Sequence, residues 1–412
     1  MRRMAAWSVL AVALVLSAPA LAEPNRPILD KAQGFVPEAL KLWERLVNID
    51  SGTGDEEGLK AIAAILLEEL KRSGATVETI PVTRPSVGDN IVATLNGTGK
   101  GKVLLMAHMD TVFAKGAAAA RPFRIKDGRA YGPGVSDDKS GIIAAVYVLR
   151  ILNELKFKDY ERVTLLLNSN EETGSRGSRQ LIERLAKEHD VTLNLEAGRP
   201  GDGLVIWRKG SAQLTVEVKG RSAHAGVAPE DGRNAALELA HQVLQISKLG
   251  NPEKQTTVNV TVLRAGDRTN VIPDAANARL DVRALVAEEF DRVEREAAAS
   301  ARNKLITDTE VITSLLRSFP AMPQNPRIDM LASMAQRIYG EIGRTLKLEG
   351  SGGAADSSLA AGVFKPTLDG LGLVGGNAHT EREYAEVDSM VPRIYLLTRL
   401  VMELGRGQQD AR

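Results

Sequence analysis

Apolar and polar positions follow two different rhythms along the first half of the chain. Short apolar runs typical of strands are separated by longer stretches with the period of an amphipathic helix. The strand-like runs are "TVETIPV", "NIVATLNG", "KVLLMAHMD", "RVTLLLNSN" and "VTLNLEAG". The helical stretches are residues 36–48, "DEEGLKAIAAILLEELKRSG", "DDKSGIIAAVYVLRILNELK" and "SRQLIERLAKEH". This alternation predicts an α/β fold in which a sheet lies between two layers of helices.

The pattern changes after Gly210. A strand, a helix, two strands, a helix and a final strand follow one another, from "AQLTVEVKG" to "TEVITSLLRS". The order βαββαβ predicts a ferredoxin-like domain inserted into the first domain. Pro320 and Pro323 mark its end, and two more helices, near 328–343 and 389–404, complete the chain.

The predicted domain bounds follow from this change of pattern. A chain of 412 residues is too long for one ordinary core, so two domains are expected. We predict a discontinuous first domain of residues 23–209 and 322–412 and an inserted domain of residues 210–321.

The composition excludes several classes of protein. Hydrophobic residues make up 43% of the chain and charged residues 25%, and the formal net charge is +1. Without a basic excess, binding to nucleic acid has no electrostatic support, so no nucleic-acid partner is expected. The sequence contains no cysteine, which excludes thiol catalysis and thiolate metal sites. Any metal ion must therefore be bound by histidine, aspartate and glutamate.

The first 22 residues have the pattern of a secretory signal peptide. Two arginines precede an apolar stretch from Met4 to Leu16, and the small-residue site Ala20-Leu21-Ala22 follows. The alternative is a single membrane anchor, but the apolar stretch is short for a bilayer span. We expect cleavage after Ala22, a periplasmic or secreted mature protein, and no stable membrane insertion.

Acidic residues and a histidine collect near the ends of predicted strands and before a predicted helix. They are His108, Asp110, Asp137, Glu171, Glu172 and Glu196. In an open α/β sheet, ligands bind beyond the carboxyl ends of the strands. Charged groups rarely gather beside a core unless a cation neutralises them, so this pattern predicts a pair of divalent metal ions.

Each of these residues also has a plainer interpretation. A lone histidine is more often a partly buried core residue, but Asp110 lies on the same strand face as His108 and could fix its tautomer. Asp137 and Asp138 could both be helix caps, and we predict that Asp138 is one. Glu196 alone would be only an acid at a strand end.

Glu171 and Glu172 are adjacent at the end of an apolar strand. Neighbouring side chains of an extended strand point in opposite directions. One carboxylate could then bind a metal ion while the other faces a water molecule and the substrate. The pair would divide the roles of metal ligand and general base.

The other histidines fall into two groups. His379 follows the glycine-rich "GLVGGNA", where a histidine is more often functional than not. His224 lies in "GRSAHAGVAPEDGRN" of the predicted inserted domain and could be merely a turn residue. His189 and His241 lie in helical patterns, and we interpret them as surface or core residues.

Six segments together resemble the bacterial di-zinc glutamate carboxypeptidases, within the wider family that includes aminoacylases and succinyl-diaminopimelate desuccinylase. In family order, they are "MAHMDTV", "YGPGVSDDKSG", "NSNEETGS", "SAHAGVAPEDGRNA", "TNVIPDAANARLDVR" and "NAHTEREY". The resemblance extends over nearly all of the mature chain. It implies a zinc-exopeptidase-like α/β/α catalytic domain interrupted by a ferredoxin-like lid and dimerisation domain.

The resemblance also implies a metal centre of two Zn²⁺ ions. Asp137 would bridge the ions, and its peptide bond to the next residue would be cis. His108 and Glu196 would complete one site, and Glu172 and His379 the other. Histidine with carboxylates suits Zn²⁺ and tolerates Co²⁺ or Mn²⁺.

The remaining roles implied by the resemblance concern catalysis and substrate. Asp110 would orient His108, and Glu171 would carry a proton from the attacking water to the leaving nitrogen. His224 would cross a homodimer interface and stabilise the oxyanion in the other subunit's site. Asn270 and Arg283 would reach the substrate, with the arginine binding its carboxylate.

Two departures from the family pattern concern the substrate. A second carboxylate-binding arginine of the glutamate carboxypeptidases is replaced by Phe319, and Arg317 is expected on the same strand face, where it could substitute. In "SGGAADSS", Ala355 stands where threonine is usual. An apolar substrate side chain beside Phe319 is therefore an alternative to glutamate.

The sequence thus predicts a zinc-dependent exopeptidase that releases a C-terminal amino acid from a small peptide or an N-acyl amino acid. Glutamate, including that of folates, is the first candidate. An aminoacylase or aminopeptidase of the same family is the alternative. A periplasmic solute-binding protein is the alternative from another class, since it shares the signal peptide, the two lobes and the near-zero charge.

Overall fold

The structure is a computed structural model that describes residues 23–407. The predicted signal peptide lies outside the described residues. None of the helices within residues 23–407 combines the length and apolar character that a membrane span requires.

The helices of the described chain run from its first residues to its last. They are α1 (Arg26–Val47), α2 (Glu56–Arg72), α3 (Ala117–Ala120), α4 (Lys139–Glu154), α5 (Arg179–Glu188), α6 (Ala235–Ile246), α7 (Ala287–Ser300), α8 (Pro326–Gly340), α9 (Asp356–Gly362) and α10 (Met390–Gly405).

The strands fall into three stretches of the chain. The first stretch contains β1 (Thr76–Pro81), β2 (Asp89–Asn96), β3 (Lys102–His108), β4 (Arg124–Lys126), β5 (Arg129–Tyr131), β6 (Arg162–Asn168), β7 (Val191–Asn194) and β8 (Gly203–Arg208). The second contains β9 (Gly210–Lys219), β10 (Ala223–His224), β11 (Thr257–Ala265), β12 (Val271–Ile272), β13 (Ala275–Ala284) and β14 (Glu310–Phe319). The third contains β15 (Lys347–Ser351), β16 (Thr367–Leu368), β17 (Gly375–Gly376) and β18 (Tyr384–Glu386).

The main sheet has six strands in the order β1-β2-β6-β3-β7-β16. Its central strands are parallel, whereas β1 and β2 pair antiparallel with their neighbours. Leu165 and Leu167 of β6 face one apolar cluster and Leu166 faces another. Because both faces are covered, the strands are almost continuously apolar, as is typical of a parallel sheet between helix layers.

Helices cover the two faces of this sheet. On one face α1, α4 and α10 pack against one another, and on the other α5 packs against α9. The predicted α/β/α arrangement is therefore confirmed. The first helix is longer than the predicted 36–48, because Asn25 caps it by accepting a hydrogen bond from the backbone N–H of Ile28.

The second stretch of strands forms its own sheet, in the order β11-β13-β9-β14, with every neighbouring pair antiparallel. Helices α6 and α7 pack on it around a separate apolar core. This is the predicted ferredoxin-like βαββαβ arrangement. Residues 210–319 are called the inserted region below, and the other described residues the main body. The domain bounds themselves stay a prediction.

The carboxyl ends of the parallel strands lie at one edge of the main sheet. His108 ends β3, the turn with Glu171 and Glu172 follows β6, and Glu196 follows β7. Asp137 lies immediately before α4, next to this edge. The fold thus brings together residues that are up to 271 positions apart, from His108 to His379.

Candidate metal centre

Asp137 lies between two histidines and presents one carboxylate oxygen to each. Its Oδ1 is 3.0 Å from Nε2 of His108, and its Oδ2 is 3.2 Å from Nε2 of His379. A carboxylate with two oxygens facing two different imidazoles is placed to bridge two cations.

Each histidine has a second carboxylate beside it. Nε2 of His108 is 3.8 Å from Oε1 of Glu196, and Nε2 of His379 is 3.1 Å from Oε2 of Glu172. These pairs are the ones predicted from the sequence. Possible ligand atoms of His108, Asp137 and Glu172 lie within 4.8 Å of one another, as do those of His108, Glu171 and Glu196. All five predicted ligands therefore meet in one cluster, together with Glu171.

Glu171 and Glu172 lie on a 3₁₀ turn, Glu171–Thr173, and not at the end of an extended strand. The prediction that strand alternation separates their side chains was therefore wrong. The turn forms because the carboxylate of Asp110 accepts the backbone N–H groups of both glutamates, at 2.9 and 3.2 Å. Gly174, with φ of 90°, lets the chain leave the turn in the left-handed region.

Asp110 also contacts His108, mainly through its backbone. Nδ1 of His108 is 3.0 Å from the carbonyl oxygen of Asp110 and 3.4 Å from its carboxylate Oδ1. The hydroxyl of Thr53 donates to the other carboxylate oxygen at 2.5 Å. Asp110 is fully buried, so it fixes the histidine and the glutamate turn in one frame.

Burial and crowding shift the protonation of the acids. Glu171 is only 8% exposed, and burial raises its pKa well above the usual carboxyl range. Burial and the nearby charge of Asp137 raise the pKa of Glu196 to about 8. Carboxylates in such a place resist ionisation unless positive charge is supplied.

The imidazoles respond in the opposite sense. Hydrogen bonds with Asp137 and Glu172 raise the pKa of His379 to about 10. Although burial disfavours its charge, the hydrogen bonds from His108 and His379 lower the pKa of Asp137 below the usual range. In the absence of metal, protonated imidazoles thus compensate the negative charge of the carboxylates. When neutral imidazoles bind divalent cations, the cations supply that positive charge instead.

The cluster fits a pair of Zn²⁺ ions by its donor set and by one unsatisfied atom. Oε1 of Glu172 is buried and has no hydrogen-bond partner among the described residues. A buried carboxylate oxygen without a donor is costly unless a cation meets it. Two histidines and several carboxylates, without any cysteine, form an open site of the kind that catalytic zinc uses.

The residues around Asp137 give one confirmed and one wrong prediction. The Asp137–Asp138 peptide bond is cis, as predicted. Asp138 occupies the N-cap position of α4, but its side chain does not cap the helix and instead accepts the backbone N–H of His108 at 3.3 Å.

Sequence reasoning missed several supporting residues. Thr53 lies between two helices in "SGTGDEE", where nothing in the local pattern indicates a contact with Asp110. Glu383 accepts backbone N–H groups from the Asp137 loop and was hidden in "TEREY", where only its spacing from His379 could have drawn attention. Such contacts depend on loop geometry, which no periodicity records.

The predicted residues of the inserted region do not join the cluster. His224 is exposed, and its Nδ1 accepts the backbone N–H of Gly226 at 3.2 Å. The strand pair β10–β12 places it beside Asn270, whose carbonyl accepts the N–H of Ala225. Within the described chain neither residue contacts a predicted metal ligand.

The predicted carboxylate-binding residues are engaged elsewhere. Nε of Arg283 donates to both carboxylate oxygens of Asp281, at 2.9 and 3.1 Å. Arg317 pairs with Asp291 of α7. Phe319 is only 7% exposed and packs in the cluster beneath the main sheet, so it offers little surface to a substrate.

The two remaining histidines agree with their interpretation. His189 is buried and hydrogen-bonds to the carbonyl of Leu185 and the hydroxyl of Thr164. His241 is half-buried on α6, with its Nε2 3.0 Å from the carbonyl oxygen of Asn303.

The fold and the histidine–carboxylate cluster define the class of protein as a metal-dependent hydrolase. The model of Peptidase family M20/M25/M40 matches residues 104–403, and the chain belongs to this family. This result excludes the solute-binding alternative. Carboxypeptidase G2 of Pseudomonas sp. (strain RS-16) is 37% identical over 409 residues, which cover 98% of this chain and 99% of that protein.

Other relatives are more distant. Succinyl-diaminopimelate desuccinylase of Paracoccus denitrificans (strain Pd 1222) is 28% identical over 383 residues, covering 87% of this chain and 97% of that protein. Among solved structures, aminopeptidase PepT from Bacillus cereus ATCC 10987 superposes with a TM-score of 0.74 at 24% identity, covering 90% of this chain and 98% of that one.

Proposed function

We propose that this protein is a zinc-dependent exopeptidase that releases a C-terminal amino acid from a small peptide or an N-acyl amino acid. Glutamate, including that of folates, is the first candidate for the released residue. The observation that carries the proposal is Asp137, whose two oxygens face His108 and His379. The relative named carboxypeptidase G2, 37% identical over nearly the whole chain, supports the choice of carboxypeptidase.

The five cluster residues would hold the metal ions. His108 and Glu196 would bind one ion, Glu172 and His379 the other, and Asp137 both. When bound, Zn²⁺ would polarise the scissile carbonyl and lower the pKa of a shared water to about 7.

Glu171 would move the proton. Its carboxylate lies beside the cluster but is assigned to neither metal site, and Asp110 holds its backbone through the turn. It would take a proton from the attacking water at one carboxylate oxygen and deliver it to the leaving amide nitrogen. A carboxyl group with a raised pKa suits both halves of this transfer at neutral pH.

The inserted region would complete the site from a second subunit. His224 is exposed, and within residues 23–407 it makes no hydrogen bond or ion pair with a residue of the cluster. We propose a homodimer in which His224 of one subunit donates to the oxyanion formed in the other. Asn270 and Arg283 would then hold the substrate, the arginine after exchanging Asp281 for the substrate carboxylate.

The cellular location follows from the first 22 residues. We propose that they direct export and are removed after Ala22, so that the enzyme acts in the periplasm or outside the cell.

A second candidate is an aminoacylase or aminopeptidase of the same family. It is favoured by the side chains that would bind a C-terminal carboxylate: Phe319 carries no charge, and Arg317 and Arg283 are paired with acids of the inserted region. An enzyme of this kind would recognise the amino end or the acyl group of its substrate and would not require a free C-terminal carboxylate.

Three measurements on the purified protein test the proposal. Elemental analysis should find two equivalents of zinc, and a chelator should abolish hydrolysis until zinc is returned. A matched pair of substrates, with a free or an amidated C-terminus, should be cleaved only in the free form. Equal cleavage of the pair would favour the second candidate, and hydrolysis that a chelator leaves intact would overturn the metal mechanism.

A further inference from the structure

Glu383 is a buried carboxylate that binds backbone N–H groups and, within residues 23–407, forms no ion pair. Only 1% of it is exposed. Its Oε1 accepts the N–H of Ser136 at 2.8 Å and that of Asp137 at 2.9 Å, and its Oε2 accepts the N–H of Gly134 at 3.0 Å. Three backbone donors on one carboxylate determine the shape of the turn that carries the bridging aspartate.

This turn has little freedom on its other sides. Gly134 has φ of 68°, and a Cβ atom there would lie 2.5 Å from a methyl group of Thr111. Nζ of the buried Lys139 donates to the carbonyl of Pro133 at 3.3 Å. The segment before α4 is thus fitted closely against the end of the sheet, and the carboxylate of Glu383 binds three of its backbone N–H groups.

The other end of this interaction is the loop that carries His379. Asn377 and His379 both have positive φ, and the side chain of His379 is 56% exposed. The loop's internal hydrogen bonds join only near neighbours, such as the N–H of Glu383 to the carbonyl of Thr380 at 3.2 Å. Its side-chain links to the Asp137 turn, within the described chain, are the His379 pair with Asp137 and the carboxylate of Glu383.

We propose that Glu383 is a positioning residue that locks the His379 loop onto the Asp137 turn, so that the two metal sites form as one unit. The inference rests on the proposed two-metal function. It follows because one loop supplies a ligand to one ion through His379 and holds the backbone of the ligand shared by both ions through Glu383. Loss of the lock should therefore weaken metal binding at both sites.

Glu383→Gln disrupts the three hydrogen bonds that join Glu383 to the Asp137 turn, with almost no change in the shape of the side chain. A glutamine amide has one acceptor oxygen and a donor nitrogen, so it can satisfy either Gly134 or the pair Ser136 and Asp137 but not all three. Loss of a hydrogen bond that supports a metal ligand costs roughly 10–100-fold in metal affinity. At saturating zinc the ions themselves hold the ligands, so kcat should return toward the wild-type value.

The experiment is a competition titration of metal-free protein with zinc against a coloured chelator. Wild type, Glu383→Gln and the control Glu381→Gln are compared, because Glu381 lies on the same loop but is exposed. We expect a loss of roughly 10–100-fold in zinc affinity for Glu383→Gln alone. Thermal unfolding of the metal-free proteins is measured in parallel, since a merely structural role would lower stability and leave affinity unchanged.

The outcomes separate this inference from the proposed function. Wild-type zinc affinity in Glu383→Gln would overturn the lock, whereas a wild-type protein that binds no zinc would overturn the metal function itself. If Glu383→Gln does not fold, Glu383→Asp is titrated instead. Its shorter carboxylate should weaken zinc binding in the same direction, and an unchanged affinity would likewise overturn the lock.

Discussion

The main body and the inserted region differ in how they hold their predicted functional residues. In the main body, the carboxylate of Asp137 lies 3.0 Å from Nε2 of His108 and 3.2 Å from Nε2 of His379. The buried Asp110 in turn contacts the other ring nitrogen of His108. In the inserted region, His224 is exposed and Arg283 is paired with an acid of its own strand. One region has a preformed cluster, whereas the roles proposed for residues of the other region require a domain movement or a second subunit.

This difference indicates which steps each region controls. A preorganised cluster is the requirement for binding metal and activating water. Exposed residues on a separately packed region are suited to closing over a substrate and setting its fit. Mutations in the main body should therefore affect chemistry or metal content, and mutations in the inserted region should affect turnover through assembly.

The largest expected effect tests the preformed centre. Glu171→Gln should lower kcat by roughly 10²–10⁴-fold, the usual contribution of a general acid–base group. Both zinc ions should stay bound, because Glu171 is assigned to neither site. Elemental analysis and steady-state kinetics on one preparation measure the two results.

Glu172→Gln is the matched control for this prediction. It changes the adjacent residue of the same turn in the same way but removes a predicted ligand, so zinc content should fall together with activity. If Glu171→Gln loses zinc or retains its turnover, the two glutamates have been given the wrong roles.

The next effect tests whether the inserted region acts from a second subunit. His224→Ala should lower kcat by roughly 10²–10³-fold, the scale of losing one oxyanion donor. A heterodimer of His224→Ala with Glu171→Gln should regain about half of the wild-type turnover, because one of its two sites is then intact. Co-expression with two different affinity tags isolates that heterodimer for kinetics.

An inactive heterodimer would show that His224 serves its own chain, whereas a His224→Ala homodimer with wild-type turnover would show that it has no role in catalysis. A change in KM alone would exclude it as the oxyanion donor. The homodimer of each variant provides the baseline, since neither contains an intact site.

The sequence predicts much of the main body, but for different reasons in the sheet and in the cluster. The strands of the main sheet were predictable because both faces of the sheet are buried. Runs such as Leu165 to Leu167 are therefore continuously apolar. The convergence of His108 and Glu196 was predictable because the carboxyl ends of parallel strands lie at one edge of the sheet.

The supports of the centre were not predictable in the same way. The 3₁₀ turn at Glu171 forms because its backbone N–H groups donate two hydrogen bonds to Asp110, 61 positions before Glu171. The side chain of Asp138 turns away from its helix, and the partner of Arg317 lies on a helix of the inserted region. These contacts join segments that are distant in sequence, and side-chain periodicity carries no information about them.

Metal removal should destabilise the main body and leave the stability of the inserted region unchanged. An ion that binds only the folded state adds about 2.7 kcal/mol when its free concentration is 100 times Kd. The inserted region has its own apolar core, so this stabilisation should be confined to the main body. Hydrogen exchange with and without a chelator should show faster exchange around Asp137 and Glu171 and unchanged protection in β9 and β13.

Faster exchange throughout the inserted region would mean that the two regions unfold as one unit. The comparison between them would then hold for chemistry but not for stability. The zinc-loaded protein with an inert salt in place of the chelator is the control.

The smallest effect uses two histidines outside the site. His189 is buried in the main body at 1% exposure, and burial lowers its pKa to about 4 from an ordinary value of 6.5. Between pH 6.5 and pH 4 this histidine is protonated in the unfolded chain but neutral in the folded chain. The free energy of unfolding therefore falls as the pH falls below 6.5. The loss from pH 7.5 to pH 5 should be about 2 kcal/mol. Urea unfolding of wild type and His189→Gln measures it, since the variant should lack this slope. The control His241→Gln, which changes a half-buried histidine of the inserted region, should retain it. An equal slope in all three proteins would show that His189 does not couple protonation to the stability of the main body.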